Sequence, residues 1–206
     1  DFGFSVAYNF SVIKNKMTEL NGVDYIGLSS SELHGRNFDQ ETSRSAVGQP
    51  IGSFFVYEAD GLFQSDAEIQ NYKNDRGELL QPNAKPGDIR FKDLNGDGVI
   101  NSDDRDFKGN PLPDCSMGLT LGFNYKNFDV SAFFQGVFGN EVYNLTNYLG
   151  EFYNQAQYNK NSTILDAWRP DNTDTDIPRV TLDDPNNNIR PSTYYIHNAS
   201  FVRLKN

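Results

Sequence analysis

The 206 residues carry a formal charge of −10, a pI near 4.6, only 37% hydrophobic residues and a 14% share of aromatics. That acidity excludes a nucleic-acid binder, which needs Lys and Arg to neutralise phosphates. Cys115 is the only cysteine, which excludes an internal disulfide and a cysteine-based zinc site, and His34 and His197 stand in no ligand-like spacing. No run approaches the ~18 apolar residues of a membrane helix. A membrane β-barrel escapes that test, because alternation hides its hydrophobicity. With 16 Phe, 11 Tyr and 17 Gly and few aliphatic runs, the composition favours strands.

The first segment alternates with period two: Phe2, Phe4, Val6, Tyr8, Phe10 and Val12 share one face, opposed by Gly3, Ser5, Ala7, Asn9 and Ser11. Its length suits a tilted membrane-spanning strand. Between Met117 and Phe138 the pattern repeats twice around Lys126-Asn127. A two-residue turn there pairs Tyr125 with Phe128, Phe123 with Val130, Leu121 with Ala132 and Leu119 with Phe134. A slip of one residue destroys the match, so the register is specified. Phe133 and Val137 interrupt the polar face, and a last run, Tyr194 to Leu204, alternates more weakly. A soluble sandwich also alternates, but its strands are usually ~5–6 residues, about half the length of these. The reading is all-β: a partial transmembrane antiparallel β-barrel with long extracellular loops. The connections, roughly 58–116 and 139–192, are rich in Asn, Asp, Gly and Pro. Short turns of such barrels face the periplasm and long loops the outside. Ile51–Tyr57 is therefore read as loop structure or strand extension on the outer side, since a span there would need a long periplasmic loop.

Residues 93–104 read DLNGDGVINSDD. Asp93, Asn95, Asp97, Val99, Asn101 and Asp104 occupy positions one, three, five, seven, nine and twelve of a calcium-type loop. Alternate oxygen donors converge on one cation, Gly98 permits the sharp turn and Val99 offers its carbonyl. Ile100 is expected to anchor the loop by packing. Asp104 stands where Glu is usual and reaches one methylene less far, with Asp103 as a competitor. The flanks do not read as two helices, so one Ca2+ would order a loop (85–114) rather than sense calcium pulses; the plainer alternative is a solvated Asn-Gly/Asp-Gly turn.

The stretches NFSVIKNKMTEL (9–20), GQPIGSFFVYEADGLFQ (48–64), KPGDIRFKDLNGDGVINSDD (85–104) and GNPLPD (109–114) resemble the SusC/RagA family of TonB-dependent outer-membrane transporters. So do GLTLGFNYKNFDVSAFFQGVFGNEVYN (118–144), AWRPDNTDTDIPR (167–179) and YYIHNASFVRLKN (194–206), in the family's order. Val56 stands where the family often has glycine. The resemblance implies a plugged barrel of about 22 strands, of which residues 1–206 would supply about five, without the plug domain. It implies a Gram-negative outer-membrane location, contact with outer-membrane lipid, a SusD-like lipoprotein lid, a TonB complex and oligosaccharide or peptide cargo. Trp168, Tyr148, Phe152 and Tyr153 are candidates to stack on a sugar or touch the lid, against the plainer reading that they pack on one another. A calcium-dependent surface adhesion or docking module is the alternative function, but it would normally repeat the loop, which occurs once. No nucleophile, base and orienter stand out, so no enzyme is expected.

Overall fold

The computed structural model describes residues 2–29, 41–151 and 159–205. Twelve strands lie among them, in chain order β1 (Phe2–Val12), β2 (Tyr25–Ser29), β3 (Glu41–Ala46), β4 (Ser53–Tyr57), β5 (Ala59–Leu62), β6 (Ile89–Phe91), β7 (Arg105–Phe107), β8 (Cys115–Tyr125), β9 (Phe128–Phe138), β10 (Glu141–Tyr143), β11 (Ile196–Asn198) and β12 (Phe201–Leu204).

The three eleven-residue strands and β12 form one antiparallel sheet in the order β1-β8-β9-β12. The β8–β9 register pairs Tyr125 with Phe128, Phe123 with Val130, Leu121 with Ala132 and Leu119 with Phe134, as the parity argument requires. Lys126 turns the chain with φ of 55°. β1 adds Phe2, Phe4, Val6 and Tyr8 to the same four rungs. The apolar ladder runs the height of the sheet yet faces outward, with Phe2 66% and Phe128 74% exposed. A soluble monomer does not leave so large an apolar surface uncovered; hydrocarbon is its solvent, and this is the lipid face of a barrel wall. The opposite face carries Gly3, Ser5, Asn9, Gly118, Thr120, Gly122, Asn124 and Gln135. No helix among the described residues is long and apolar enough to cross a membrane.

β1 pairs directly with β8, so residues 13–114 leave the wall and return beside their point of departure: Ile13 N donates to Asp114 O at 3.0 Å. The first excursion thus begins at residue 13, well before residue 58. Ser53–Tyr57 lies within it as a regular strand of a second sheet, β2-β3-β4-β7, on the outer side. The run from Tyr194 is also divided. Thr193–Tyr195 forms a 3-10 turn, β11 pairs with β10, and only β12 rejoins the wall beside β9. The break is fixed by polar groups: Asn198 Oδ1 accepts from Ser200 N at 2.8 Å, and Ala199 N donates to Asn140 O at 2.9 Å.

The two excursions, 13–114 and 139–200, share a core away from the lipid face. Leu62, Ile89 and Phe91 from the first pack with Tyr148, Trp168, Ile189 and Tyr195 from the second, and Ile100 lies against them. Phe91 and Tyr195 are wholly buried, each contributing about 1.5–3 kcal/mol by leaving water.

Candidate functional site

The loop 93–104 is built from side-chain oxygens that capture backbone amides. Asp93 accepts from Gly96 N and Gly98 N, both at 2.8 Å. Asn95 Oδ1 accepts from Asp97 N, and Asp97 Oδ1 from Val99 N, both at 2.9 Å. Such local bonds are what Asp and Asn do best outside helices and strands, and the alternate spacing brings the side-chain amides of Asn95 and Asn101 onto the Asp97 carboxylate. Asp97 Oδ2 is the hub, with Asn95 Nδ2 at 3.1 Å and Asn101 Nδ2 at 3.4 Å, and Asn101 Nδ2 also lies 3.4 Å from Val99 O. The amide hydrogen bond from Val99, then that from Asn95, holds the Asp97 carboxyl below the usual carboxylate range, which keeps it ionised. Gly98 has φ of 88°, and Asn74 Nδ2 lies 2.8 Å from where a Cβ would stand, so glycine is required there twice over.

Asp104 plays a different part. It is fully buried. Its Oδ1 accepts from Leu94 N at 2.8 Å and its Oδ2 from Asn101 N at 2.7 Å, so it ties the two ends of the loop together. Among the described residues no three His, Cys, Asp or Glu side chains are gathered about one point. The donor set here is two carboxylates, Asp93 and Asp97, with the amide oxygens of Asn95 and Asn101 and the Val99 carbonyl. An all-oxygen set of that kind fits a hard cation and not zinc.

Beside the loop, a polar knot binds the two excursions. Asp88 is fully buried, and Arg179 reaches it through Nε at 2.6 Å and Nη2 at 3.2 Å. Asn188 Nδ2 and Lys85 N complete its shell at 2.9 and 2.8 Å. Asn186 and Gln81 donate to Ile89 O at 3.0 and 2.9 Å, and Gln81 Oε1 accepts from Phe91 N at 2.8 Å. β6 pairs with β5 along one edge, and these side chains satisfy backbone groups along the other, as its burial demands.

No family model matches the chain. TonB-dependent receptor P3 of Formosa agariphila is 37% identical over all of this chain, which spans 19% of that receptor. TonB-dependent receptor SusC of Bacteroides thetaiotaomicron is 28% identical, again over the whole chain and 18% of its own length. Over its full length the chain is similar to TonB-dependent receptors, SusC among them. The chain spans about a fifth of the curated relatives it matches. The RagAB peptide transporter shares its fold, with a TM-score of 0.66 at 24% identity, covering all of this chain and 20% of the other. RagAB in its "open-open" state gives 0.67 at 22%. Its place is the outer membrane of a Gram-negative cell, and its relatives are receptors and transporters, not enzymes.

Two of the four candidate contact aromatics lie in the loop core. Trp168 is 8% exposed and spends its Nε1 on Gln64 Oε1 at 2.8 Å, and Tyr148 is 8% exposed beside Tyr195. Their rings pack rather than present a face to a sugar or a lid, which corrects the expectation of contact. Phe152, Tyr153 and His34 lie outside the described residues. Sequence reasoning missed Asp88, Arg179, Asn186 and Asn188, whose partners stand about a hundred residues away. It also missed Arg44, clamped by Glu41 at 2.6 Å between the rings of Tyr25 and Phe55 at 4.0 and 3.7 Å. The Asn186-Asn187-Asn188 run was the only available signal, and it reads equally as a solvated loop.

Proposed function

We propose that this receptor segment is wall and outer loops of an importer that carries oligosaccharides or peptides across the outer membrane. In this reading it works with a SusD-like surface lipoprotein and is energised by a TonB complex through parts of the protein outside these residues. The carrying observation is the unbroken apolar ladder of β1, β8 and β9 joined to two long, fused excursions, in a chain that matches TonB-dependent receptors over its full length. RagAB is described as a peptide transporter; a likeness of fold at 24% identity does not choose between the two cargo classes. Deleting the parent gene should abolish growth on one of the two cargo classes, and tagged receptor should bring down a lipoprotein. Unimpaired growth on both would overturn the proposal.

The same reading places Ca2+ in the 93–104 loop, held by Asp93, Asn95, Asp97, the Val99 carbonyl and Asn101, with Asp104 bracing them. Bound calcium would supply charge that cancels the crowding of Asp93 and Asp97 and stiffens the turn. Asp97→Ala in the whole receptor should remove one equivalent of calcium by elemental analysis. An unchanged calcium content would sink the ligand assignment.

A further inference from the structure

An asparagine that precedes glycine is chemically exposed. The glycine nitrogen gives up its proton and attacks the asparagine Cγ, ammonia departs, and water opens the succinimide ring to aspartate or isoaspartate. An aspartate before glycine closes the same ring by releasing water. Glycine serves the reaction because no Cβ crowds the attacking nitrogen. The chain holds two Asn-Gly steps, Asn21-Gly22 and Asn95-Gly96, and one Asp-Gly step, Asp97-Gly98, adjoins the second of them.

Both Asn-Gly steps are exposed, so access to water does not separate them. Their hydrogen bonds do. Asn21 and Gly22 form a tight turn with φ of 49° and 93°, closed by Val23 N on Leu20 O at 3.3 Å. Among the described residues no acceptor meets Gly22 N, and nothing engages the Asn21 side chain. Gly96 N instead donates to Asp93 Oδ1 at 2.8 Å. The Asn95 carboxamide is held at both ends on residue 97: Oδ1 accepts from Asp97 N at 2.9 Å, and Nδ2 donates to Asp97 Oδ2 at 3.1 Å. Gly98 N, the nitrogen that would close a ring on Asp97, donates to Asp93 Oδ2 at 2.8 Å. One carboxylate thus engages both attacking nitrogens of the turn. It opposes their deprotonation, since each anion would face a like charge where the N–H now makes a charge-assisted bond.

We infer that Asp93 guards Asn95 and Asp97 against ring closure, and that Asn21, which has no such guard, is the Asn-Gly step that deamidates. What the guard preserves follows from the bonds of the turn. An aspartate at 95 would lose the Nδ2 bond to Asp97 and set a third carboxylate beside Asp93 and Asp97. Isoaspartate at 95 or 97 would add a methylene to the main chain and break the alternate capture of amides. The guard acts through hydrogen bonds within the protein and is independent of calcium.

The full-length parent protein, purified in detergent and held in chelator at mildly alkaline pH, is sampled over time by peptide mass spectrometry. Deamidation reads as a gain of one mass unit; isoaspartate at 97, which leaves the mass of aspartate unchanged, is read by electron-transfer fragmentation. In folded protein Asn21 should deamidate at least about tenfold faster than Asn95, the factor set by a hydrogen bond to a charged group. In guanidinium the two rates should converge, an arm that needs no mutation. Asp93→Asn keeps the side chain's shape but removes its charge and one of its two acceptors. It should speed ring closure at Asn95 or Asp97 about tenfold and leave Asn21 unchanged, with the 93–104 turn cut by protease no faster than in wild type. Folded protein that loses Asn95 as fast as Asn21, or a variant in which Asn95 and Asp97 are as durable as in wild type, would overturn the inference. A variant whose turn is cut faster would show that Asp93 only shapes the turn, and would overturn it equally.

Discussion

Replacing Arg179 by Met tests whether the two excursions are one folded unit. Asp88 is wholly buried and Arg179 is 19% exposed, so the substitution strands a carboxylate that water cannot reach. Breaking one side of a buried pair costs roughly 3–5 kcal/mol. Asp88 keeps its bonds from Lys85 N and Asn188 Nδ2, which places the cost near the lower end, about 3 kcal/mol. The amides that close the knot report on it: Gly87 N to Phe63 O at 2.7 Å, Phe63 N to Asp88 O at 2.9 Å and Arg179 N to Gly87 O at 2.9 Å. Native-state hydrogen exchange at these amides should accelerate on the order of a hundredfold, while the β1–β8 amides of the wall stay unchanged. Adding Asp88→Asn removes the stranded charge and should recover about 1–3 kcal/mol of the loss. A single-mutant effect below about 1 kcal/mol, or a double mutant as costly as the sum of its parts, would refute the argument.

Gly87→Ala should unfold the same region, because φ is +88° and the new Cβ would lie 2.5 Å from Trp168 Cε3; a loss of about 2 kcal/mol or more is expected in the same exchange experiment. Asp104→Ala should disorder residues 94–101 whether or not calcium is present, since it releases the amides of Leu94 and Asn101; Asp97→Ala frees one backbone amide, that of Val99, and should loosen the loop less than Asp104→Ala in chelator, and proteolysis of the two variants with and without chelator separates them. Val6→Arg, at the middle of the lipid face beside Leu121, should cost about 2–4 kcal/mol of folding into bilayers, whereas Ser131→Arg on the other face should cost less. Asp97 has a lowered carboxyl pKa, chiefly through the Val99 amide. Its stabilising effect is therefore full above the ordinary aspartate value of about 4 and is lost as pH falls through the depressed one. The carboxyl-carbon shift of Asp97 should titrate below pH 4; a midpoint at or above that value contradicts the bonding described.

The wall was legible because period-two alternation over eleven residues leaves one register that matches, even around a turn without glycine. The start of the first excursion was not. Phe54, Phe55 and Val56 read as readily as a wall strand as they do as a strand of an outer sheet, and only the direct β1–β8 pairing decides. The 93–104 turn was legible from its alternating Asp and Asn side chains, yet the division of labour within it was hidden. Position twelve reads as a ligand in the linear motif, and its buried setting makes Asp104 a clasp for backbone amides. Trp168 and Tyr148 looked like contact aromatics because loop aromatics in a polar stretch have no visible partners. Gln64, Gly87 and Tyr195 come to them through the fold.

The adjacency of Ile13 and Asp114 makes the first excursion a side branch of the wall. Its two stems are already neighbours, so its length never enters the stagger and tilt that set the barrel's circumference, and closing a longer branch would cost only about 0.6 kcal/mol per doubling. The outer architecture can therefore be exchanged, lengthened or trimmed between those stems while the same strands continue to seal against lipid. A receptor with such a joint can change what it meets at the cell surface without renegotiating how it sits in the membrane.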